Sequence, residues 1–219
     1  MILAIETSGL LCSVAFYDKG RLLAEYNHEL PMQHATLLGQ LVEEGKKRLQ
    51  KQSIQSKIDT LAVAIGPGSF TGLRIGLSFA QGYCFGNDCL LAAISNHQVL
   101  AAQSPQGEGP LYTIIDARRD ELYLARMAGE APYELAEHKI VRLQDLAQTL
   151  PAGSRLVCEQ GVLPEELKQR VAEKAIVYDR AAYRASIIAQ LAEAKLKQSG
   201  PDDPEQVEPL YIRPFAGAW

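Results

Sequence analysis

The sequence predicts a mixed α/β protein of two lobes, each with the element order β-β-β-α-β-α-β-α. Three observations carry this prediction. Short apolar segments rich in β-branched residues alternate with longer segments of helical periodicity. A turn-forming cluster, Ser104-Pro105-Gln106-Gly107-Glu108-Gly109-Pro110, divides the chain near its middle. The order of elements before that cluster recurs after it, without obvious residue identity. The 219 residues suffice for a substantial core, as one large domain or two small lobes. The boundaries read as 1–104 for the first lobe, 105–199 for the second and 200–219 for a tail.

In the first lobe, 2–5, 12–17 and 22–27 read as strands. Asp18-Lys19-Gly20 supplies a hairpin turn between the second and third, with glycine at a positive φ. The segment 33–50 is helical, because Leu37, Leu38, Leu41 and Val42 recur on one face. A strand at 58–65, a helix at 71–85, a strand at 89–94 and a helix over 97–103 complete the lobe. In the second lobe, 111–116, 122–127 and 133–141 are strands and 143–149 is helical. A strand at 156–159 precedes a helix at 164–172 that Pro164 opens. A strand at 175–178 and a long helix at 183–197 follow. The stretch 200–209 is acidic and proline-rich and reads as an exposed crossover.

Hydrophobic residues make up 47% of the chain and charged residues 22%, an ordinary globular balance. The formal net charge of −4 argues against a phosphate-neutralising surface over most of the molecule. Cys12, Cys84, Cys89 and Cys158 show no CxxC spacing, and the first three lie in apolar stretches where a thiol acts as a small hydrophobe. Met1-Ile2-Leu3-Ala4-Ile5 runs at once into Glu6 with no basic region before it, unlike a signal peptide. No window approaches eighteen uninterrupted apolar residues, so no membrane span is expected. These features predict a cytoplasmic protein with reduced thiols.

The run Gly66-Pro67-Gly68-Ser69-Phe70-Thr71-Gly72-Leu73-Arg74-Ile75-Gly76 stands at a strand-to-helix junction. It is not a Walker loop, because Leu73 and Arg74 follow Gly72 where Lys and Ser/Thr are needed. It is not a dinucleotide fingerprint, because Gly72 comes one residue late. The glycines fit a tight turn with positive φ, a close approach of backbone to a ligand or another chain, or a plain strand-to-helix turn. Exposed N–H groups at the helix start also favour an anion.

Gly66-Pro67-Gly68-Ser69-Phe70-Thr71-Gly72-Leu73-Arg74 closely resembles the signature of the TsaB (YeaZ) family. Three further segments match in order: Ile5-Glu6-Thr7-Ser8, Asp116-Ala117-Arg118-Arg119-Asp120-Glu121-Leu122-Tyr123 and Pro209-Leu210-Tyr211-Ile212-Arg213. Together they span nearly the whole chain. The resemblance implies the actin-like (ASKHA) fold, with two ribonuclease-H-like lobes and an end segment packed back near the first. It implies an accessory subunit that binds and activates a TsaD-type protein, which transfers threonylcarbamoyl to the tRNA adenosine next to the anticodon. It also implies a TsaE-type ATPase as a further partner, a homodimer when alone, and contact with tRNA only through the complex.

The candidate nucleotide-proximal residues are Glu6, Thr7, Ser8 and Asp116. A carboxylate after the first strand could hold Mg²⁺ through water while nearby N–H groups approach phosphate. The same residues also fit a capped turn with an exposed acid. Arg118, Arg119, Asp120 and Glu121 form a dense charged turn that can pair with itself, and Glu159-Gln160-Gly161 keeps a single glycine where a nucleotide clasp would have pairs. The expectation is therefore no tightly bound cofactor, with ATP or ADP held weakly and only at the interface of a complex. TsaD-type proteins carry an H-x-x-x-H pair on one helix face. Here His97 matches the first histidine and Ala101 replaces the second, so no metal site and no catalytic residues are assigned, and His97 reads as a helix-start or core histidine. A self-sufficient ATPase or kinase of the same fold and a metallopeptidase-like protein are the alternatives, the second disfavoured by Ala101.

The candidate partner surface is Leu37, Leu38 and Leu41 on the first helix with Gly72, Arg74, Ile75, Phe79 and Tyr83 on the second. That second helix is apolar nearly all round and so needs neighbours on both sides, whereas a single apolar face also fits a core. Gly72, Gly76 and Gly82 are small enough for another helix to come close.

Overall fold

A computed structural model of the chain describes residues 1–29, 33–54, 57–131 and 133–212. Both halves follow the expected order. The first contains β1 (Ile2–Glu6), β2 (Cys12–Asp18), β3 (Arg21–His28), α1 (His34–Lys51), β4 (Thr60–Ala64), α2 (Phe70–Asn87), β5 (Leu90–Ile94) and α3 (Asn96–Ala101). The second contains β6 (Leu111–Arg118), β7 (Glu121–Ala128), β8 (Glu134–Arg142), α4 (Leu146–Thr149) after a 3-10 turn, β9 (Ser154–Glu159), α5 (Glu165–Ala172), β10 (Ala175–Ala181) and α6 (Ala185–Gln198). Their sheets have the orders β3-β2-β1-β4-β5 and β10-β9-β6-β7-β8. Counted within each half, both follow 3-2-1-4-5, with antiparallel hairpins on one side of the first strand and parallel strands on the other. This is the actin-like arrangement of two ribonuclease-H-like lobes.

Alternation along the strands decides which helix lies where. In β1, Leu3 and Ile5 face one way and Ile2 and Ala4 the other. Leu3 and Ile5 join Val14, Phe16, Leu61 and Val63 under α1 and α2, against Leu38, Leu41, Val42, Leu77 and Ala80. The opposite face is lined by small side chains, Ala4, Ala15, Ala62, Ala64 and Ala92. These let a helix approach closely, and the helix that does so is α6, through Ala185, Ile188, Ala189 and Ala192. Thus the last helix of the second half covers the sheet of the first.

The exchange is reciprocal. Helix α3 packs against β6, β7 and β9, and its Val99, Leu100 and Ala101 share one core with Leu111, Ile115, Ala125, Met127 and Val157. The second sheet's other face carries a separate core, with Ile114, Leu122, Leu124, Leu156 and Cys158 against Leu146, Leu167 and Val171. A chain cut near residue 105 therefore does not separate two independent packing units.

The tail runs back along the first lobe. Asp202 bridges to Leu91 at the edge of β5. Its carboxylate accepts from the Ala93 N–H at 2.8 Å and from Lys195 Nζ at 2.6 Å. Gln81 of α2 donates to the carbonyls of Pro204 at 2.8 Å and Val207 at 3.1 Å, and the Leu210 N–H reaches the Ile65 carbonyl at 2.7 Å. The strap satisfies backbone groups of an edge strand that would otherwise stay unpaired. Arg213, the last residue of the fourth matching segment, lies outside the described residues. Among the described residues no helix is long and apolar enough to cross a membrane.

The alanine face makes a direct prediction. Ala62→Leu overpacks the contact with α6 and should cost about 1–3 kcal/mol. Urea unfolding of this variant should show a lower midpoint with an unchanged slope.

Candidate functional site

The turn after β1 is built around a carboxylate turned inward. Glu6 is 0% exposed, a correction to the expected exposed acid. Its Oε1 accepts from the Ser8 N–H, from Ser8 Oγ at 2.6 Å and from the Gly9 N–H at 2.9 Å. The backbone donors that a phosphate would need are thus bonded to the chain's own side chain. Oε2 is buried without a hydrogen-bond partner among the described residues. Burial pushes the Glu6 carboxyl up to about 7, against the lowering effect of the bonds from Ser8 and Gly9.

The glycine run locks onto this turn. The Ser69 N–H donates to the Ser8 carbonyl at 2.8 Å, and Thr7 Oγ1 donates to the Gly72 carbonyl at 2.7 Å. A Cβ at Gly72 would lie 1.9 Å from the Thr7 carbonyl oxygen, and one at Gly68 would lie 2.8 Å from that of Ser8. The close approach that the glycines permit is therefore to the turn of residues 7 and 8. Ser69 caps α2 by accepting from the Gly72 N–H at 3.2 Å. Asn96, at the start of α3, donates to Ser8 Oγ at 2.6 Å and to the Pro67 carbonyl at 2.9 Å. Three segments distant in sequence are knit into one polar knot.

The corresponding corner of the second lobe is more open. Asp116 is exposed; its Oδ2 pairs with Arg118 at 3.0 Å and its Oδ1 accepts the Arg118 N–H at 2.7 Å. Arg118, Arg119 and Asp120 have φ of 64°, 58° and 57°, three successive left-handed residues that turn β6 into β7. Glu159, at the end of β9, is pushed up to about 7 by burial, with the charges of Glu6 and Asp116 adding to the rise. Tyr183 is buried with its ring on the Gly9 turn, and burial followed by the charges of Glu159 and Glu6 raises its phenol. Glu159 and Tyr183 were not among the sequence candidates. Matching the two halves strand by strand would have put Glu159 at the place of the glycine-run junction.

His97 is also fully buried, with Nδ1 2.8 Å from Thr113 Oγ1 on β6. Burial drives its pKa down to about 3, so it is a neutral core imidazole joining the lobes.

The candidate docking residues divide. Leu38 and Leu41, at 1% and 3% exposure, belong to the core under α1, and Gly72 is buried against the β1 turn. These three are corrected: they face the chain's own interior and cannot present a surface. Gly76 is likewise tight against Thr7, whereas Gly82 has open space around it. Leu37, Ile75, Phe79 and Tyr83 are half-buried and Arg74 is exposed. The Phe79 and Tyr83 rings stack at 6.1 Å, and Lys46 of α1 lies 5.2 Å from the Tyr83 ring centre. At the other end of α2, Arg74 sits 3.8 Å over Phe70 and donates to Tyr211 of the tail at 3.3 Å. A shallow cavity of about 420 Å³ lies there, lined by Phe70, Thr71, Arg74, Ile75 and Ser78. Phe85, in the last turn, is 92% exposed.

Residues 29–174 match the family model described as TsaD, tRNA N6-adenosine threonylcarbamoyltransferase. Similar curated relatives are the tRNA threonylcarbamoyladenosine biosynthesis proteins TsaB of Haemophilus influenzae and Escherichia coli. The first is 33% identical over 59% of this chain and 54% of its own length, the second 35% over 57% and 53%. A solved structure titled YeaZ from Pseudomonas aeruginosa aligns with a TM-score of 0.77 and 26% identity, covering 96% of this chain and 98% of that one. The chain belongs to the TsaB (YeaZ) family. The match spans about half the length of the curated TsaB relatives, while the solved YeaZ chain is covered almost throughout. In this member of the TsaB family, the first-lobe turn is occupied by Glu6 and the outer surface of α2 carries the half-buried side chains of Ile75, Phe79 and Tyr83.

The buried carboxyls set a pH dependence. In the unfolded chain Glu6 loses its proton near 4.5, but in the folded chain it keeps it to about 7. The folded state binds more protons within that window, so stability falls as pH rises from about 4.5 to about 7 and levels off above. Glu159 acts in the same direction. Glu6→Gln should flatten much of the slope and raise the thermal midpoint at pH 8 relative to the parent chain. An unchanged slope would mean that Glu6 is ionised in the folded protein.

Proposed function

We propose that this TsaB-family chain is an accessory subunit for threonylcarbamoyl transfer to the tRNA adenosine next to the anticodon. It binds a TsaD-type protein, which holds the reacting groups, and orders that partner's active site. The carrying observation is the outer surface of α2, where Ile75, Phe79 and Tyr83 are half-buried beside the Phe70 and Arg74 cavity. Clustered aromatic side chains with an arginine are the composition of a docking surface. Leu37 of α1 extends it, so the partner would add helices against α1 and α2.

The same surface serves a second copy of the chain when no partner is present, which makes the homodimer and the mixed complex mutually exclusive. A TsaE-type ATPase joins the mixed complex. ATP or ADP binds weakly, and only where subunits meet, because in the isolated chain Glu6 takes up the donors of the β1 turn. Contact with tRNA runs through the complex, in keeping with the net charge of −4. A self-sufficient ATPase or kinase would need those donors for phosphate.

Phe79→Glu places a charge in the centre of the proposed interface, on a half-buried side chain at the rim of the core under α1 and α2. It should weaken the complex with the TsaD-type protein by at least tenfold while leaving the thermal midpoint close to the parent value. Light scattering after size exclusion reads the first and calorimetry the second. Leu38→Glu should instead unfold the chain. A folded Phe79→Glu variant with full partner affinity would remove α2 from the interface.

A further inference from the structure

Helix α2 ends at Asn87, and Asp88 then takes a left-handed conformation, φ 49° and ψ 56°. The Asp88 N–H bonds to the Cys84 carbonyl, and the Cys89 N–H points to the same oxygen at 3.4 Å. This reversal lays the residue after the cap over the last helical turn. It brings Cys84 and Cys89, five positions apart, into contact with their sulfurs 3.1 Å apart. The other two cysteines sit elsewhere, Cys12 in β2 and Cys158 in β9.

We propose that Cys84 and Cys89 form an oxidative modification site, closed to an intramolecular disulfide by a small-molecule disulfide such as oxidised glutathione. The sulfurs need to approach by only about 1 Å to reach bonding distance. Cys89 is the entry point: it is 9% exposed, against 3% for Cys84, and residues 85–88 beside it are all exposed. The Cys89 thiolate attacks one glutathione sulfur and releases one glutathione thiolate. The Cys84 thiolate then attacks the Cys89 sulfur of the mixed disulfide and releases the second. Two electrons pass from the cysteine pair to the glutathione disulfide, and the two cysteine protons end on the released thiols. Burial raises both thiols, Cys84 to about 12, which keeps the thiolate scarce and makes closure slow at neutral pH. The bond would pin the corner joining α2 to β5, stiffening the end of the helix that carries Tyr83 and Phe85. This site does not depend on the proposed partner role.

The full chain is equilibrated in glutathione buffers of graded ratio, quenched in acid, alkylated after denaturation and measured by intact and peptide mass. Under oxidising ratios the parent chain should lose two of its four alkylatable thiols, with a mass two hydrogens lower and a linked peptide containing Cys84 and Cys89. Reductant should restore all four. Cys84→Ser should stop at a single glutathione adduct on Cys89. Four retained thiols across the series would overturn the proposal. So would linkage through Cys12 or Cys158, bonds between chains, or a parent chain that stops at the glutathione adduct.

Discussion

The packing of α6 on the alanine face of the first sheet holds the rest of the structure in place. Ala4, Ala15, Ala62, Ala64 and Ala92 present a surface without long side chains, and Ala185, Ala189 and Ala192 present another. Their approach ties the C-terminal helix to the N-terminal strand, and Ser13 Oγ accepts the Ala185 N–H at 3.0 Å at the same junction. With α3 crossing the other way, the two sheets share one core. That core fixes the ends of β1, β6 and β9 relative to one another, which is why Glu159 feels the charges of Glu6 and Asp116.

The polar knot at those strand ends has a consistent chemical logic. The donors of the β1 turn are bonded to the Glu6 carboxylate, the glycines admit the turn's carbonyls, and His97 is spent on Thr113. A region that could serve a ligand in this fold is here occupied by the chain's own side chains. The surface left with aromatic groups lies outside, on α2. The proposed role as a binding subunit draws on that contrast.

Most of the fold was legible because its signals are local. Continuous apolar runs mark Ile2–Glu6 and Thr60–Ala64 as strands, whose alternate residues enter opposite cores, and Gly20 has the positive φ that the hairpin turn predicts. The site was legible only in part, because its relations are not local. The apolar stripe of α1 is plain in the sequence, but whether Leu38 and Leu41 or Leu37 stays accessible depends on where Phe16 and its neighbours lie beneath. The glycine run signalled a close approach without saying to what, since Thr7 is 65 residues from Gly72. Glu159 and Tyr183 carry no motif and join Glu6 only when the lobes close. The Cys84 and Cys89 contact arises from one left-handed residue, Asp88, that no spacing rule marks.

The central claim is that the exchanged helices make both sheets one cooperative unit, and native-state hydrogen exchange tests it most directly. The amides of Ala62 in β4 and Val157 in β9 lie in different lobes yet border the shared core. Their opening free energies should agree with each other and with the global unfolding free energy, and should fall together as denaturant is added. A distinctly lower opening energy for Val157, with Ala62 still at the global value, would mean that the second lobe unfolds alone and that the exchange does not couple them.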